Sequence, residues 1–241
     1  MTAIIDLTLL GILLICTWSG YKKGILMGIG GILAIVVSIY GANLLAHVFS
    51  YDVVPALRPF VGGYVDRLLS GSDSKVIRQM GWENYDYSIE DLLQRYPERR
   101  TEFFSNCYTS LGLDSATAED LAARTVEYAR DSDVNMKDAL VQVLCESASY
   151  VGVFILGFLM LIIVLTVIGN LPNLSYKIPY MDSFNDLGGA VLGFITGLLF
   201  CALLVWGMKF LGLLLREEAL SASRLGGWLL RRNLLAKYLE I

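Results

Sequence analysis

The sequence predicts an all-α, polytopic membrane protein. It would have four transmembrane helices in two glycine-rich hairpins, with an extramembrane helical segment inserted between the second and third spans. Three observations predict this. The 241 residues are 55 % hydrophobic but only 17 % charged, at a mean hydropathy of +0.57, whereas ordinary soluble domains are about 25 % charged. Four apolar runs are long enough to cross a hydrocarbon core of about 30 Å, which takes about 20 helical residues. Glycines also recur at every fourth position around two of those runs, although an interior glycine weakens a water-soluble helix by about 1 kcal/mol.

The four runs cover approximately residues 3–20, 25–49, 148–170 and 187–214. The first contains Asp6, which belongs in the first turn at the interface, because a carboxylate at mid-membrane costs several kcal/mol. A secretory signal peptide would place basic residues before the apolar run and a small-residue cleavage site after it. Here MTAIID precedes and GYKKG follows, so the first span is expected to be retained. The organisation is then 1–49 as a first hairpin, 50–147 as an extramembrane segment, 148–214 as a second hairpin, and 215–241 as a basic and apolar interfacial tail.

Residues 50–147 have different chemistry. They hold 17 of the 23 acidic residues but 10 of the 19 Lys and Arg, a net charge of −7 within a chain of net −4. Ser88 before IEDLLQRY, Pro97 opening ERRTEFFSNCYTSL ahead of Gly112, and DSATAED before LAARTVEYA are helix start and stop signals. Three or four short amphipathic helices are expected there. MKDALVQVLCESASYVGVF contains no breaker, so a helix from about Asn135 should continue directly into span three.

Short loops rich in Lys and Arg mark the cytoplasmic face. Lys22 and Lys23 lie in the turn between spans one and two, which puts that turn in the cytoplasm and the acidic segment and both termini outside it. The tail pulls the other way, with Arg216, Arg224, Arg231, Arg232 and Lys237 against three glutamates. The tight Lys-Lys turn carries more weight, because a hairpin fixes its turn early. Cys16 and Cys201 fall within spans, which leaves Cys107 and Cys145 as the one pair able to bridge in an oxidising compartment. Free thiols are the simpler reading.

In lipid, helices gain nothing from mutual hydrophobic burial, so small residues on one face promote association by letting backbones approach. Gly20, Gly24 and Gly28 surround the first turn, and Gly189, Gly193 and Gly197 follow the second. Each set is expected to close its own hairpin, the two forming parallel repeats. Homodimerisation through the same glycines is the alternative. The second turn, LPNLSYKIPYMDSFND, has Pro172 and Pro179 as helix stops, Tyr176 and Tyr180 for the headgroup layer, and Asp182 and Asp186 at the positive end of span four. Either aspartate could reach Lys22 or Lys23 and lock the hairpins together.

A D-x-x-x-x-G spacing after a short N-terminus, then GYKKGILMGIGGILAIVVSIYGANLLA, and later IPYMDSFNDLGGAVLGFITGLLFCALLV, resemble the colicin V production protein (CvpA) family. The resemblance covers the four spans, about 110 residues in two blocks. The acidic insert has no counterpart in it. The resemblance implies a multi-pass protein of the bacterial cytoplasmic (inner) membrane, with a role in peptide-toxin production and envelope upkeep and without catalysis. Some members carry a protease outside the cytoplasm after the last span, in agreement with an external C-terminus here.

The residues themselves disfavour an enzyme. His47 is the one histidine, beside Asn43 near the end of span two, and is read as interfacial. No phosphate-binding G-x-x-x-x-G-K-[ST] occurs, GIGG at 28–31 lies inside an apolar span, and no His or Cys recurs at ligand spacing. No catalytic residue, cofactor or metal is expected. Net acidity argues against nucleic acid. The expected partners are the lipid bilayer and an envelope or export protein met by the acidic segment, with a homo-oligomer as a further possibility. A transporter or channel subunit is the alternative, although spans two to four offer only Asn43, His47, Asn170 and Lys209 as polar groups near their ends. A sensor is a third reading, for which no ligand cluster is visible.

Overall fold

The computed structural model describes residues 2–70, 74–82, 87–170, 182–210 and 223–232, and every described element is helical. In chain order they are α1 (Thr2–Leu69), α2 (Lys75–Met80), α3 (Ile89–Arg95), a 3-10 turn (Pro97–Arg99), α4 (Arg100–Ser110), α5 (Ser115–Ser132), α6 (Met136–Asn170), α7 (Asp182–Phe210) and α8 (Arg224–Arg232). They form two compact units. One comprises Met1–Val48 and Gly152–Met208 with the C-terminal helix, the other Phe49–Val151.

Three described helices are long and apolar enough to cross a membrane: Thr2–Leu69, Met136–Gly169 and Ser183–Met208, with best windows of mean hydropathy 2.2, 3.1 and 2.3. Only 22 %, 22 % and 39 % of those windows is buried inside the protein. Leu7, Ile15, Leu156 and Leu187 are each 66 % or more exposed. A continuous apolar surface of that kind is untenable in water and is what a lipid solvent requires.

The helix through span one is broken at Gly24, directly after Lys22 and Lys23. α1 runs from Thr2 to Leu69 by hydrogen-bond pattern, interrupted by a single non-helical residue, Gly24, at φ 77 and ψ −179. This left-handed backbone is reached by glycine at little steric cost. α1 also continues past the expected end of span two at residue 49, through Pro55 and Pro59. Each proline removes a backbone hydrogen bond and crowds the preceding turn. The opposing stabilisation is a stripe at helical spacing, Val54, Leu57, Val61, Val65 and Leu68, all packed into the core of the Phe49–Val151 unit. The helix thus outruns the apolar run, because hydropathy falls near residue 49 while helical periodicity does not, and the two compact units divide between Val48 and Phe49.

That unit has a core of soluble-protein type. Phe103, Phe104, Tyr108, Leu93, Leu121, Leu140 and Val65 are almost fully buried. Trp82 stacks on Phe103 with ring centroids 5.8 Å apart, and Phe103 meets Phe104 edge-on at 5.5 Å. The helix ends are capped as the sequence signals imply. Ser88 accepts the Asp91 N–H at 3.1 Å, Asp114 accepts the Thr117 N–H at 3.4 Å, and Asn135 accepts the Lys137 and Asp138 N–H groups at 2.9 and 3.2 Å. The expectation of a helix from about Asn135 running into span three holds in α6. Arg99 donates to the Met80 carbonyl at 3.1 Å while its guanidinium lies 5.5 Å from the Trp82 ring centre. Lys137 pairs with Asp66. The Thr125 hydroxyl donates to the Leu121 carbonyl at 2.7 Å, so the Tyr108 hydroxyl, 2.6 Å away, is the donor to Thr125.

All four cysteines are free, Cys107 and Cys145 fully buried among them. Burial pushes the Cys107 thiol from an ordinary 9.0 up to about 12 and raises the Tyr108 hydroxyl above its ordinary 10.0. Both groups hold their protons more tightly folded than unfolded. Their contribution to stability is therefore complete below about pH 9 and is lost as pH rises towards 12. The expected outcome is a thermal midpoint, followed by near-ultraviolet circular dichroism, that is insensitive to these two groups from pH 6 to 8 and declines above about pH 9. A Cys107→Ala, Tyr108→Phe chain should show a shallower alkaline decline, whatever its absolute midpoint. An equal slope in both chains would contradict the assignment.

Candidate functional site: the glycine contact of α1 and α7

The two glycine sets meet each other. Along α7, the residues Asn185, Gly189, Gly193, Gly197 and Cys201 repeat every fourth position and so share one face. A Cβ built on Gly189 would overlap the Gly20 carbonyl oxygen and lie 2.8 Å from the Gly24 Cα. One on Gly193 would overlap the Cys16 carbonyl oxygen and lie 3.0 Å from the Gly20 Cα. One on Gly197 would lie 3.1 Å from the Cys16 Cβ and 3.3 Å from the Leu13 Cα. The Cys201 thiol donates to the Leu9 carbonyl at 3.6 Å. Successive steps up α7 therefore meet successive steps down α1 from Gly24 to Leu9, an antiparallel register.

Beyond Gly24 the register changes sign. A Cβ on Gly188 would lie 2.5 Å from Ile25 Cδ1, and one on Gly28 would lie 2.8 Å from the Leu192 Cβ. Gly31 follows opposite Thr196 at 3.8 Å. On this side α1 and α7 ascend together. On α6, Gly157 faces Leu45 and Ala42, Gly41 faces Leu161, and Phe154 stacks edge-on against Trp206 with centroids 5.0 Å apart.

The closeness has a chemical content. On Gly20, Gly189 and Gly193 the position a side chain would take holds a Cα hydrogen directed at a facing carbonyl oxygen, reciprocally for Gly20 and Gly189. Contacts of this type contribute about 0.5–1 kcal/mol each, and in lipid they add to dispersion rather than to hydrophobic burial. The expectation that each glycine set closes its own hairpin is therefore corrected. The sets pack between α1 and α7 because backbone-to-backbone approach needs small residues on both partners at one level. The same glycines are consequently enclosed within one chain, which removes the surface that a glycine-mediated dimer would need.

The break at Gly24 starts a new helical stretch and leaves the Ile25 amide without an intrahelical acceptor. The side chain of Asn185, only 5 % exposed, supplies one: its Oδ1 accepts the Ile25 N–H at 3.0 Å. Asn185 was missed by the sequence reading, yet it was within reach, since it extends the four-residue glycine rhythm of α7 by one step. The charges expected to lock the hairpins are not so engaged. Lys22 and Lys23 are exposed, and the Lys22 ammonium sits 5.3 Å from the Trp18 ring centre. Asp186 is half-buried, and no ion pair joins it to either lysine among the described side chains. Asp182 begins α7, and its side chain lies outside the described residues, as do Pro172, Tyr176, Pro179 and Tyr180.

Asp6 acts in the same manner as Asn185. Its carboxylate accepts the Arg224 and Leu225 N–H groups at 3.1 and 2.9 Å, Ser223 Oγ accepts that of Gly226 at 2.8 Å, and the Ser223 carbonyl accepts that of Gly227 at 3.0 Å. The Arg224, Leu225 and Gly226 amides, which have no intrahelical acceptor, are thereby satisfied, and Gly227 makes the first ordinary helical bond. A separate concavity of about 230 Å³ in the other unit is lined by Phe103, Phe104, Leu93 and Leu140 with Asp66 and Lys137 at its edge, and those two charges neutralise each other. No group of three or more metal-ligating side chains occurs among the described residues.

Comparison with protein-family profiles, with curated proteins and with solved structures returns no match to this chain.

The contact geometry separates glycines by what a methyl group meets. Gly193→Ala and Gly20→Ala drive the new atom into backbone and should cost about 2–3 kcal/mol, whereas Gly30, with nothing within 4 Å, should accept alanine without loss. Asn185→Ala should cost about 1–2 kcal/mol through the orphaned Ile25 amide. Unfolding in mixed micelles checks all four. Equal effects at Gly30 and Gly193 would remove the basis for the packing assignment.

Proposed function

We propose that the chain is a non-enzymatic, four-span protein of the bacterial cytoplasmic membrane, similar to the colicin V production family. In this reading its helical Phe49–Val151 unit engages an envelope or export protein, in toxin production or envelope upkeep. The observation that carries the four-span reading is the sign change of the α1–α7 register at Gly24. A helix that pairs antiparallel with α7 up to Gly24 and parallel with it afterwards must fold back there. The stretches before and after Gly24 are then two spans joined at Lys22, Lys23 and Gly24, and α6 and α7 are the third and fourth. The Asp6 bonds to Arg224 and Leu225 support the same count, since they bring the start of the tail to the start of span one, as an even number of spans requires. By the positive-inside rule the Lys22–Lys23 turn faces the cytoplasm, and the termini and the acidic unit do not.

A partner-binding role for the acidic unit is supported by its having its own core and by exposed aromatics that this core does not use. Phe60 is 77 % exposed and Tyr87 54 %. Large exposed apolar side chains outside the lipid-facing stretches are candidate contact points.

Photo-crosslinking residues at Phe60 and at Tyr87 in the full-length chain, in cells, test the proposal. The expected result is a heterologous protein adduct recovered from at least one position. Labelling of Lys22→Cys from the cytoplasmic side only is expected alongside it. Absence of any adduct, together with solute flux through reconstituted vesicles that Gly193→Leu abolishes, would transfer the assignment to the transporter or channel alternative.

A further inference from the structure

Span one carries a strip of residues on the side opposite its contact with α7. Leu7, Gly11, Leu14, Trp18 and Lys22 follow one another at spacings of four, three, four and four, so they share one face. The residues that meet α7 are Leu9, Leu13, Cys16 and Gly20, half a turn away. Leu7, Leu14 and Trp18 are each more than 60 % exposed, and a Cβ built on Gly11 would meet nothing within 4 Å. The strip is therefore an open apolar track with a gap in it at Gly11.

At the turn the chemistry of the strip changes. The Trp18 and Tyr21 rings stack with centroids 6.1 Å apart, and the Lys22 ammonium lies 5.3 Å from the Trp18 ring centre. That contact holds the ammonium beside the strip, and a group with three donors has others left for an anion. Lys22 and Lys23 are the only charged residues between Leu7 and Ala46. No described carboxylate forms an ion pair with either, the half-buried Asp186 of α7 included. Tryptophan, tyrosine and lysine together at a span end suit the headgroup layer. The track also has the length of a lipid tail. From Gly11 to Lys22 is about 16 Å of helix, against about 15 Å of hydrocarbon in one leaflet.

We propose that the Leu7–Gly11–Leu14–Trp18–Lys22 strip binds one anionic phospholipid, with its phosphate on the Lys22 ammonium beside the Trp18 and Tyr21 rings and an acyl chain in the gap over Gly11. The proposal rests on the membrane reading given above. The occupant is a lipid rather than a free anion, because the cation stands at the end of an exposed apolar track that a free anion would leave bare. Lys23 lies about 100° further round the helix and adds only to the general positive field.

The test uses the full chain in vesicles of phosphatidylcholine and phosphatidylglycerol at one fixed ratio, with bromine on the acyl chains of one lipid or the other. The Trp18 signal is the difference between each chain and its Trp18→Phe counterpart. Brominated phosphatidylglycerol should quench it at least about threefold more per mole than brominated phosphatidylcholine, since one basic residue at an anionic surface favours it roughly fivefold. Lys22→Gln should bring the ratio close to one, Lys22→Arg should keep it, and Lys23→Gln should leave it well above that of Lys22→Gln. Millimolar inorganic phosphate at constant ionic strength should not change it. Equal quenching of the wild-type chain by the two lipids overturns the proposal. So does an equal loss in the two glutamine chains, which marks general surface charge, or a preference that phosphate abolishes. Lys22→Glu, in which the preference should reverse, gives a second reading should the glutamine chain not fold. If the wild-type chain does not float with the vesicles, the membrane reading itself has failed, and the site with it.

Discussion

The structure of the first unit depends on how closely two backbones approach at Gly20, Gly189 and Gly193. In water, a helix pair can compensate for loose contact by burying more apolar surface. In lipid that compensation is absent, and association depends on contact quality: dispersion at short range and weak Cα–H···O bonds. A single methyl group at this level would meet backbone atoms, which cannot rotate away as a side chain can. The constraint propagates. Because α1 and α7 touch along Leu9 to Gly24, the left-handed residue Gly24 is placed beside Asn185, and the amide it exposes finds its acceptor there.

Two helix starts in this unit are completed by side chains far away in sequence. Ile25 takes Asn185, and the first amides of α8 take Asp6. An amide left open to hydrocarbon costs several kcal/mol, so each such cap also fixes which helices must be neighbours. The helices of the other unit are capped locally instead, by Ser88, Asp114 and Asn135. Water can serve as a substitute there, and proximity in sequence is sufficient. The difference in capping follows the difference in solvent.

These differences explain what was legible in the sequence. Local caps, breakers and apolar length are encoded within a few residues of where they act, so the helices of the acidic segment and the continuity of α6 were readable. The glycine rhythm was readable as a packing face, but its partner was not, because four-residue spacing states which side of a helix is smooth and nothing about which other helix uses it. The continuation of α1 beyond the apolar run was not legible for a related reason. Pro55 and Pro59 signal interruption locally, whereas the stripe from Val54 to Leu68 that overrides them acts only once Phe103, Phe104 and Leu140 are folded against it. Asn185 and Asp6 were the hardest to assign, since a polar residue near a span end has many ordinary uses and its true partner lies 160 or 218 positions away.

The choice of an amide rather than an ion pair at the α1–α7 contact follows from the same solvent argument. An aspartate–lysine pair would bring two charges to a level where backbone already fills the space. The cost of stripping water from both is of several kcal/mol per ion and is recovered only with excellent geometry. Asn185 loses far less solvation energy and leaves no charge behind if its bond opens. Lys22 avoids desolvation altogether, remaining exposed with its ammonium against the Trp18 ring, where a cation–π contact is compatible with hydration. Charge is thus kept at the periphery of the described helices, where it can orient the chain in the membrane, and uncharged polar groups and glycine backbones make the contact inside it.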